Sequence, residues 1–200
     1  MEGGILFDFF LGLIFIIAIY EVIRIVNNDK VISSLKKLIW IIPILIYIGI
    51  SLLSLKYIRL YDGGQLKITV LFLSIWVFDS AAYFAGSWIG GPKLIPKISP
   101  KKTWAGLIGG SLITFIIPSL ISIIMLNQIF LSAFAIIMGF YLSLIGIIGQ
   151  VGDLMESYFK RRFDVKDSGN ILPGHGGILD RMDSIFLASI FFYLILNFSI

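Results

Sequence analysis

Six stretches of this sequence run for about 20 residues with almost nothing but apolar side chains, the length a helix needs to cross hydrocarbon, and that feature constrains the chain most. They are about Ile5–Ile23, Leu38–Leu55, Ile68–Ile89, Trp104–Leu126, Ile129–Val151 and Ser184–Ile200. Inside lipid every backbone N–H and C=O must find a partner within the chain, and a helix supplies one for each. A barrel would instead alternate over segments of about 10 residues, and these continuous Ile/Leu/Phe runs do not. Composition points the same way: 58% of residues are hydrophobic and 14% charged, against roughly 45–50% and about 25% in soluble domains. The expected fold is all-α, a polytopic membrane protein of about six transmembrane helices.

The cations sort by side. If all six stretches cross, the connections Asn27–Lys37, Pro92–Thr103 and Gly152–Asp183, with Arg24 at the edge of the first, hold 13 of the 16 Lys and Arg; Lys56, Arg59 and Lys67 fall opposite. The positive-inside rule then places the cation-rich side in the cytoplasm and both termini outside. No Lys or Arg precedes Arg24, so the first stretch reads as a retained helix rather than a cleavable signal. We expect one membrane domain over 1–200, with residues 1–67 as scaffold and 68–200 carrying the catalytic helices and loops. Its one sizeable polar segment, Gly152–Asp183, is too short for a core of its own and should fold against the helix ends.

With no cysteine, the chain has no disulfide, thiolate nucleophile or Cys-ligated metal, and a single histidine, His175, excludes a His-rich zinc site. Eleven of the 12 acidic residues are ordinary surface or interface groups by position; Asp79, mid-span beside Ser80, is not. A carboxylate at that depth marks a site wall or a partner for a cation, or else a protonated aspartate packed between helices. Pro92–Trp104 holds four lysines, three prolines and two hydroxyls in 13 residues. Lys93 and Lys97 are explained as membrane-surface anchors. Lys101 and Lys102 stand just before a helix start, where phosphate is favoured.

The polar segment carries the densest chemistry. Asp153, Ser157 and Lys160 are spaced i, i+4 and i+7, one stripe if the fifth helix continues past the membrane. Residues 169–177 hold four glycines and a proline, which ends any helix and lets backbone N–H groups approach an anion closely. Asp180 and Asp183 share a face at the start of the last helix. Oxygen-only clusters select hard cations such as Mg²⁺, which takes one or two carboxylates and completes its shell with substrate phosphates. With Lys160, Arg161 and His175 nearby, these residues point to a Mg²⁺-dependent membrane enzyme handling phosphates, and by themselves no further.

The run Ser157-Tyr158-Phe159-Lys160-Arg161, then Lys166-Asp167, then Leu172–Asp183 with His175-Gly176-Gly177 and Asp180-Arg181-Met182-Asp183, resembles the phosphatidate cytidylyltransferase (CDP-diacylglycerol synthase) family over 27 residues. Asp79–Tyr83 and Ser99–Gly106 resemble further family segments in the expected order. The resemblance is clear over about Val77–Ser184; the first two spans share only hydrophobicity. Ala105 stands where the family often has Glu, and the chain is shorter than many members, with fewer N-terminal spans.

The resemblance implies transfer of CMP from CTP to phosphatidate at the inner (plasma) membrane, with Mg²⁺ and room for a second cation such as K⁺, in a homodimer whose active site faces the cytoplasm. It implies Asp153, Asp180 and Asp183 as metal ligands and catalytic acids together with Lys160. Ser157, Arg161, His175 and Arg181 would hold the CTP phosphates or the lipid headgroup. Lys101, Lys102, Asp79 and Ser80 complete the substrate-binding set, and no nucleic-acid partner is expected. The alternatives are a CDP-archaeol synthase-like enzyme, another Mg²⁺-dependent membrane phosphotransferase, or an ion or phosphate transporter built around Asp79. The CDP-alcohol phosphatidyltransferase pattern is absent, and a transporter calls for a second deep ionisable residue or internal repeats, neither of which is evident.

Overall fold

The computed structural model describes residues 2–126, 133–171, 174 and 176–198. Its elements are α1 (Glu2–Asn28), α2 (Ser34–Leu60), α3 (Gly64–Trp88), β1 (Lys93–Ile95), β2 (Ser99–Thr103), α4 (Trp104–Leu126), α5 (Ala133–Arg162) and α6 (Leu179–Phe198). Among the described residues the expected six helices are present. Four are long and apolar enough to cross a bilayer: Gly4–Asn28, Ser34–Leu60, Gly64–Trp88 and Ala135–Arg162. Helix α4, Trp104–Leu126, is 23 residues long and carries no charged side chain, and α6 opens on charged Asp180, Arg181 and Asp183. Large side chains such as Phe9, Ile16, Ile42, Ile46 and Trp76 are more than half exposed. Such an apolar exterior suits lipid rather than water, and the chain is a polytopic membrane protein.

Two differences from the sequence expectation are an unexpected strand pair and one helix start. The Pro92–Thr103 connection contains a two-stranded antiparallel ribbon, with Lys93 opposite Thr103 and Ile95 opposite Ser99. The last helix starts at Leu179, not Ser184, because its first turn is polar and hydropathy alone does not see it. The fifth helix does continue to Arg162, as the stripe of Asp153, Ser157 and Lys160 required.

The chain divides into two compact units, Met1–Ile68 with Gly152–Ile200, and Thr69–Val151. In the first, α2 packs against both α1 and α6. Ala18, Val22, Ile25 and Val26 of α1, and Ile48, Leu52, Leu55 and Ile58 of α2, recur at helical spacing and are buried. Buried hydroxyls join α2 to α6: Ser51 Oγ donates to Phe186 O (2.7 Å) and Ser189 Oγ donates to Ser51 O (3.1 Å). Small hydroxylated residues let membrane helices approach closely and bond across the gap. Lys56 with Asp8 (3.0 Å) and Tyr61 with Asn197 (2.8 Å) mark one end of this unit. Asn28 with Phe163 (2.8 Å) and Arg162 with Asp29 (3.7 Å) mark the other. The Asn27–Lys37 and Gly152–Asp183 connections therefore share a side, as the charge count expected.

The second unit packs differently. Gly106 and Gly109 of α4 lie so close to α3 that an added Cβ would meet Ala82 O at 2.7 Å and the Cβ of Ala85. Facing small residues bring two backbones together where lipid offers no hydrophobic drive. Thr103 starts α4 by accepting the Gly106 N–H on its buried Oγ1 (3.0 Å), an N-cap placed directly after Lys101 and Lys102.

Candidate active site

The last turns of α5 carry the stripe. Ser157 Oγ donates to Asp153 Oδ1 at 3.1 Å. One turn on, Lys160 Nζ pairs with Glu156 Oε1 at 3.0 Å and with Asp180 Oδ1 of α6, and these three side chains are each only about a tenth exposed. The end of α5 is therefore no solvated terminus at Lys160: an ammonium is enclosed between two acids, a grouping stable only while all members are present.

Helix α5 stops in a Schellman turn. Val165 N–H reaches back to Lys160 O (3.0 Å) and Asp164 N–H to Arg161 O (3.2 Å), with Asp164 at φ 54° in the left-handed region that aspartate tolerates. Arg161, exposed, donates from Nη1 to Val165 O (2.9 Å) and closes the turn. The reversal sends residues 166–171 back towards the start of α6.

There the backbone N–H groups converge on carboxylates. Asp180 Oδ2 accepts from Ser168 N (2.9 Å) and Gly177 N (2.9 Å) and lies 3.0 Å from Ser168 Oγ. Glu21, reaching across from α1, accepts from Ile178 N (2.9 Å), Leu179 N (2.9 Å) and Ser168 Oγ (2.8 Å), and is fully buried. The first N–H groups of any helix lack partners inside it, and an anion there is favoured; α6 receives its anion from a helix some 150 residues away in sequence. Burial pushes the Asp180 carboxyl up, but the Lys160 ammonium and the Gly177 and Ser168 N–H groups outweigh it and hold the group below the ordinary aspartate value. The glycines are explained by the same acids: a Cβ on Gly176 would stand 2.7 Å from Asp180 Oδ2, and one on Gly169 would stand 2.8 Å from Glu21 Oε1.

Asp183 lies one turn along α6, where α5 crosses it; a Cβ on Gly152 would meet Asp183 O at 2.7 Å. Asp153 and Asp183 thus flank one helix crossing. Gly152, Asp183, Glu156 and Tyr47 also line a pocket of about 90 Å³, otherwise walled by Ile44, Ile48, Met155, Phe159, Leu179 and Phe186. Among the described residues no three Asp, Glu or His side chains converge as a ready-made metal cage. The donor set does fit an ion that completes its shell with substrate phosphates, since Mg²⁺ needs only one or two carboxylates from the protein.

The first unit therefore brings together Asp153 with Ser157, Lys160 with Asp180, and Asp183 with the α5 crossing. Arg181 is exposed beside them. His175 lies outside the described residues. In the second unit, Lys101 is exposed and Lys102 Nζ lies 3.4 Å from Gln150 O. Asp79 and Ser80 sit on the exposed face of α3, where Ser80 lines a groove of about 670 Å³ between α3 and α4. Sequence reasoning passed over Glu21, Glu156 and Ser168. Glu21 had a readable signal: it is a lone acid inside the apolar run Ile17–Ile23, and the rule applied to Asp79 applies there too.

The protein-family comparison matches residues 1–199 to the cytidylyltransferase family. This chain belongs to the cytidylyltransferase family. Among curated relatives, the phosphatidate cytidylyltransferase of Rickettsia prowazekii (strain Madrid E) is 41% identical over 160 residues, 76% of this chain and 67% of that protein. Its counterpart in Rickettsia typhi is 43% identical over 159 residues, 75% and 66%. That of Brucella suis biovar 1 is 42% identical over 151 residues, 75% and 54%. The alignments thus span between about half and two thirds of the relatives' own lengths. Membership in a cytidylyltransferase family disfavours the transporter reading of Asp79, and the named relatives disfavour the archaeol-lipid alternative.

Proposed function

We propose that this chain transfers CMP from CTP to phosphatidate, forming CDP-diacylglycerol and diphosphate. The observation that carries this reading is the buried Lys160–Asp180 pair, held by the glycine-loop N–H groups, in a chain about 41% identical to enzymes of that name. A phosphate oxygen of phosphatidate attacks the α-phosphorus of CTP, the bond to the β-phosphate breaks, and its electron pair leaves with diphosphate. The nucleophile arrives already anionic, so no serine or cysteine is needed. The barrier is repulsion between two polyanions, which fixed positive charge lowers.

Mg²⁺, when bound, neutralises charge on the phosphates and on the leaving diphosphate. Asp153 and Asp183, at the helix crossing, and Asp180 are the residues to hold it; a second cation such as K⁺ would share the same acids. Asp180 would have to exchange Lys160 for the ion. Lys160, enclosed by two acids, and exposed Arg161 and Arg181 would offer positive charge to the CTP phosphates or headgroup. Ser157 orients Asp153, and His175 joins this set on its place in the motif. In the second unit, Lys101 and Lys102 contact phosphate or anionic headgroups, and Asp79 and Ser80 add polar contacts on the exposed face of α3. The acyl chains stay in the bilayer, so we place the site at the cytoplasmic face of the inner membrane, in a homodimer.

Membranes containing the chain, supplied with labelled CTP and phosphatidate, should yield CDP-diacylglycerol, and EDTA should stop the reaction. No product from intact, folded protein would overturn the reading.

A further inference from the structure

Glu21, on α1, is fully buried. A buried carboxylate is costly unless its oxygens are supplied with donors, and here both are: two N–H groups from the first turn of α6 and the Ser168 hydroxyl. Ser168 in turn gives its backbone N–H to Asp180, and Gly177, next to the two residues Glu21 holds, gives Asp180 another. The Ser168 hydroxyl stands between the two acids, 2.8 Å from Glu21 and 3.0 Å from Asp180, with one hydrogen to offer. The glycine loop and the start of α6 are therefore clamped from one side by Glu21 and present their remaining donors to Asp180 on the other.

We propose that Glu21 is a positioning residue for the transfer reaction, acting through Ser168 and the Gly177–Leu179 backbone to set the carboxylate of Asp180. The inference rests on the reading of Asp180 as part of the transfer site. Glu21 touches neither substrate nor ion. Its replacement rotates Asp180 by freeing the loop that aims it. Groups that orient a metal-binding carboxylate typically cost about 10–100-fold in metal affinity or activity when changed.

The test measures transfer by Glu21→Gln, Glu21→Asp, Ser168→Ala and the Glu21→Gln/Ser168→Ala double variant, with Asp8→Asn at the far end of α1 as control. Glu21→Gln places an NH₂ against N–H donors. It should lower kcat at least about tenfold and raise the Mg²⁺ concentration for half-maximal rate by a similar factor, a shift that loss of folded enzyme alone does not produce. Cleavage by trypsin after Lys166 should quicken, reporting the freed loop without any assay of activity. Glu21→Asp should recover part of the rate, and the double variant should fall no further than the worse single, because coupled residues are not additive. A Glu21→Gln enzyme within threefold of wild type in both kcat and Mg²⁺ dependence would overturn the proposal, as would losses that multiply in the double variant. Should Glu21→Gln fail to fold, Ser168→Ala decides: a normal rate and Mg²⁺ dependence overturn it. An inactive wild type removes the transfer reading and this inference together, whereas an active wild type with an unaffected Glu21→Gln removes the inference alone.

Discussion

The two units of this protein hold their helices together by opposite means. In the first, α1, α2, α5 and α6 meet through buried polar groups: the Ser51 and Ser189 hydroxyls, the Lys160 ammonium between Glu156 and Asp180, and Glu21 on the α6 N-terminus. In the second, α3 and α4 meet because Gly106 and Gly109 leave room for Ala82 and Ala85, and the groove beside that contact is apolar apart from Ser80. Van der Waals contact between small residues tolerates modest change and carries no charge. A buried ionic network tolerates little, since removing one member strands the others without water. Chemistry that depends on the placing of a carboxylate belongs in the first kind of packing, and the motif residues with acidic side chains between 153 and 183 all lie there.

The contrast makes predictions that rank by size. Asp180→Asn should lose at least about 100-fold in turnover, the cost expected if Asp180 holds the proposed ion, since a lost ligand sacrifices several kcal/mol of transition-state stabilisation; near-normal rates in the CTP assay would discard the assignment and blur the distinction between the units. Gly109→Leu should destabilise by about 1–3 kcal/mol through overpacking against Ala85, seen as a lower Tm in detergent, while the Mg²⁺ dependence of the folded fraction stays put. A changed Mg²⁺ dependence would show that the second unit also sets the acids.

The pH response tests the first unit alone. Asp180 is held below its ordinary value, so its contribution to holding the 166–180 loop is complete above that value, roughly pH 4, and is lost as pH falls through the lower folded one. Hydrogen exchange of peptides covering Ser168 and Gly177, corrected for intrinsic rates, should keep its protection down to about pH 4 and lose it below. Loss near neutral pH would contradict the Lys160 pairing. The smallest effect belongs to Lys97→Ala in the exposed turn between β1 and β2. It should change the transfer rate by less than about twofold, as surface positions away from special contacts usually do; a large loss would give that turn a role beyond anchoring.

Much of this was legible in the linear chain. The helices follow from apolar runs of membrane length, and α5's extension to Arg162 follows from the spacing of Asp153, Ser157 and Lys160. The glycine loop was also readable as a place where N–H groups meet an anion, but not which anion. In the folded chain the N–H groups of Ser168 and Gly177 meet Asp180, and those of Ile178 and Leu179 meet Glu21. The ribbon at Lys93–Thr103 was hidden because two prolines and four lysines in that stretch carry no strand period.

What the amino-acid order determined by itself was local: which stretches form hydrocarbon-length helices and which acids share a helical face, all set by residues within a turn or two of each other. What only the tertiary structure decided was which charges meet. Glu21 and Ser168 stand 147 residues apart, and Lys160 and Asp180 lie on different helices. No local pattern encodes such pairings, because they arise when separate helices bury their polar groups against one another and each group must take the partner the packing offers.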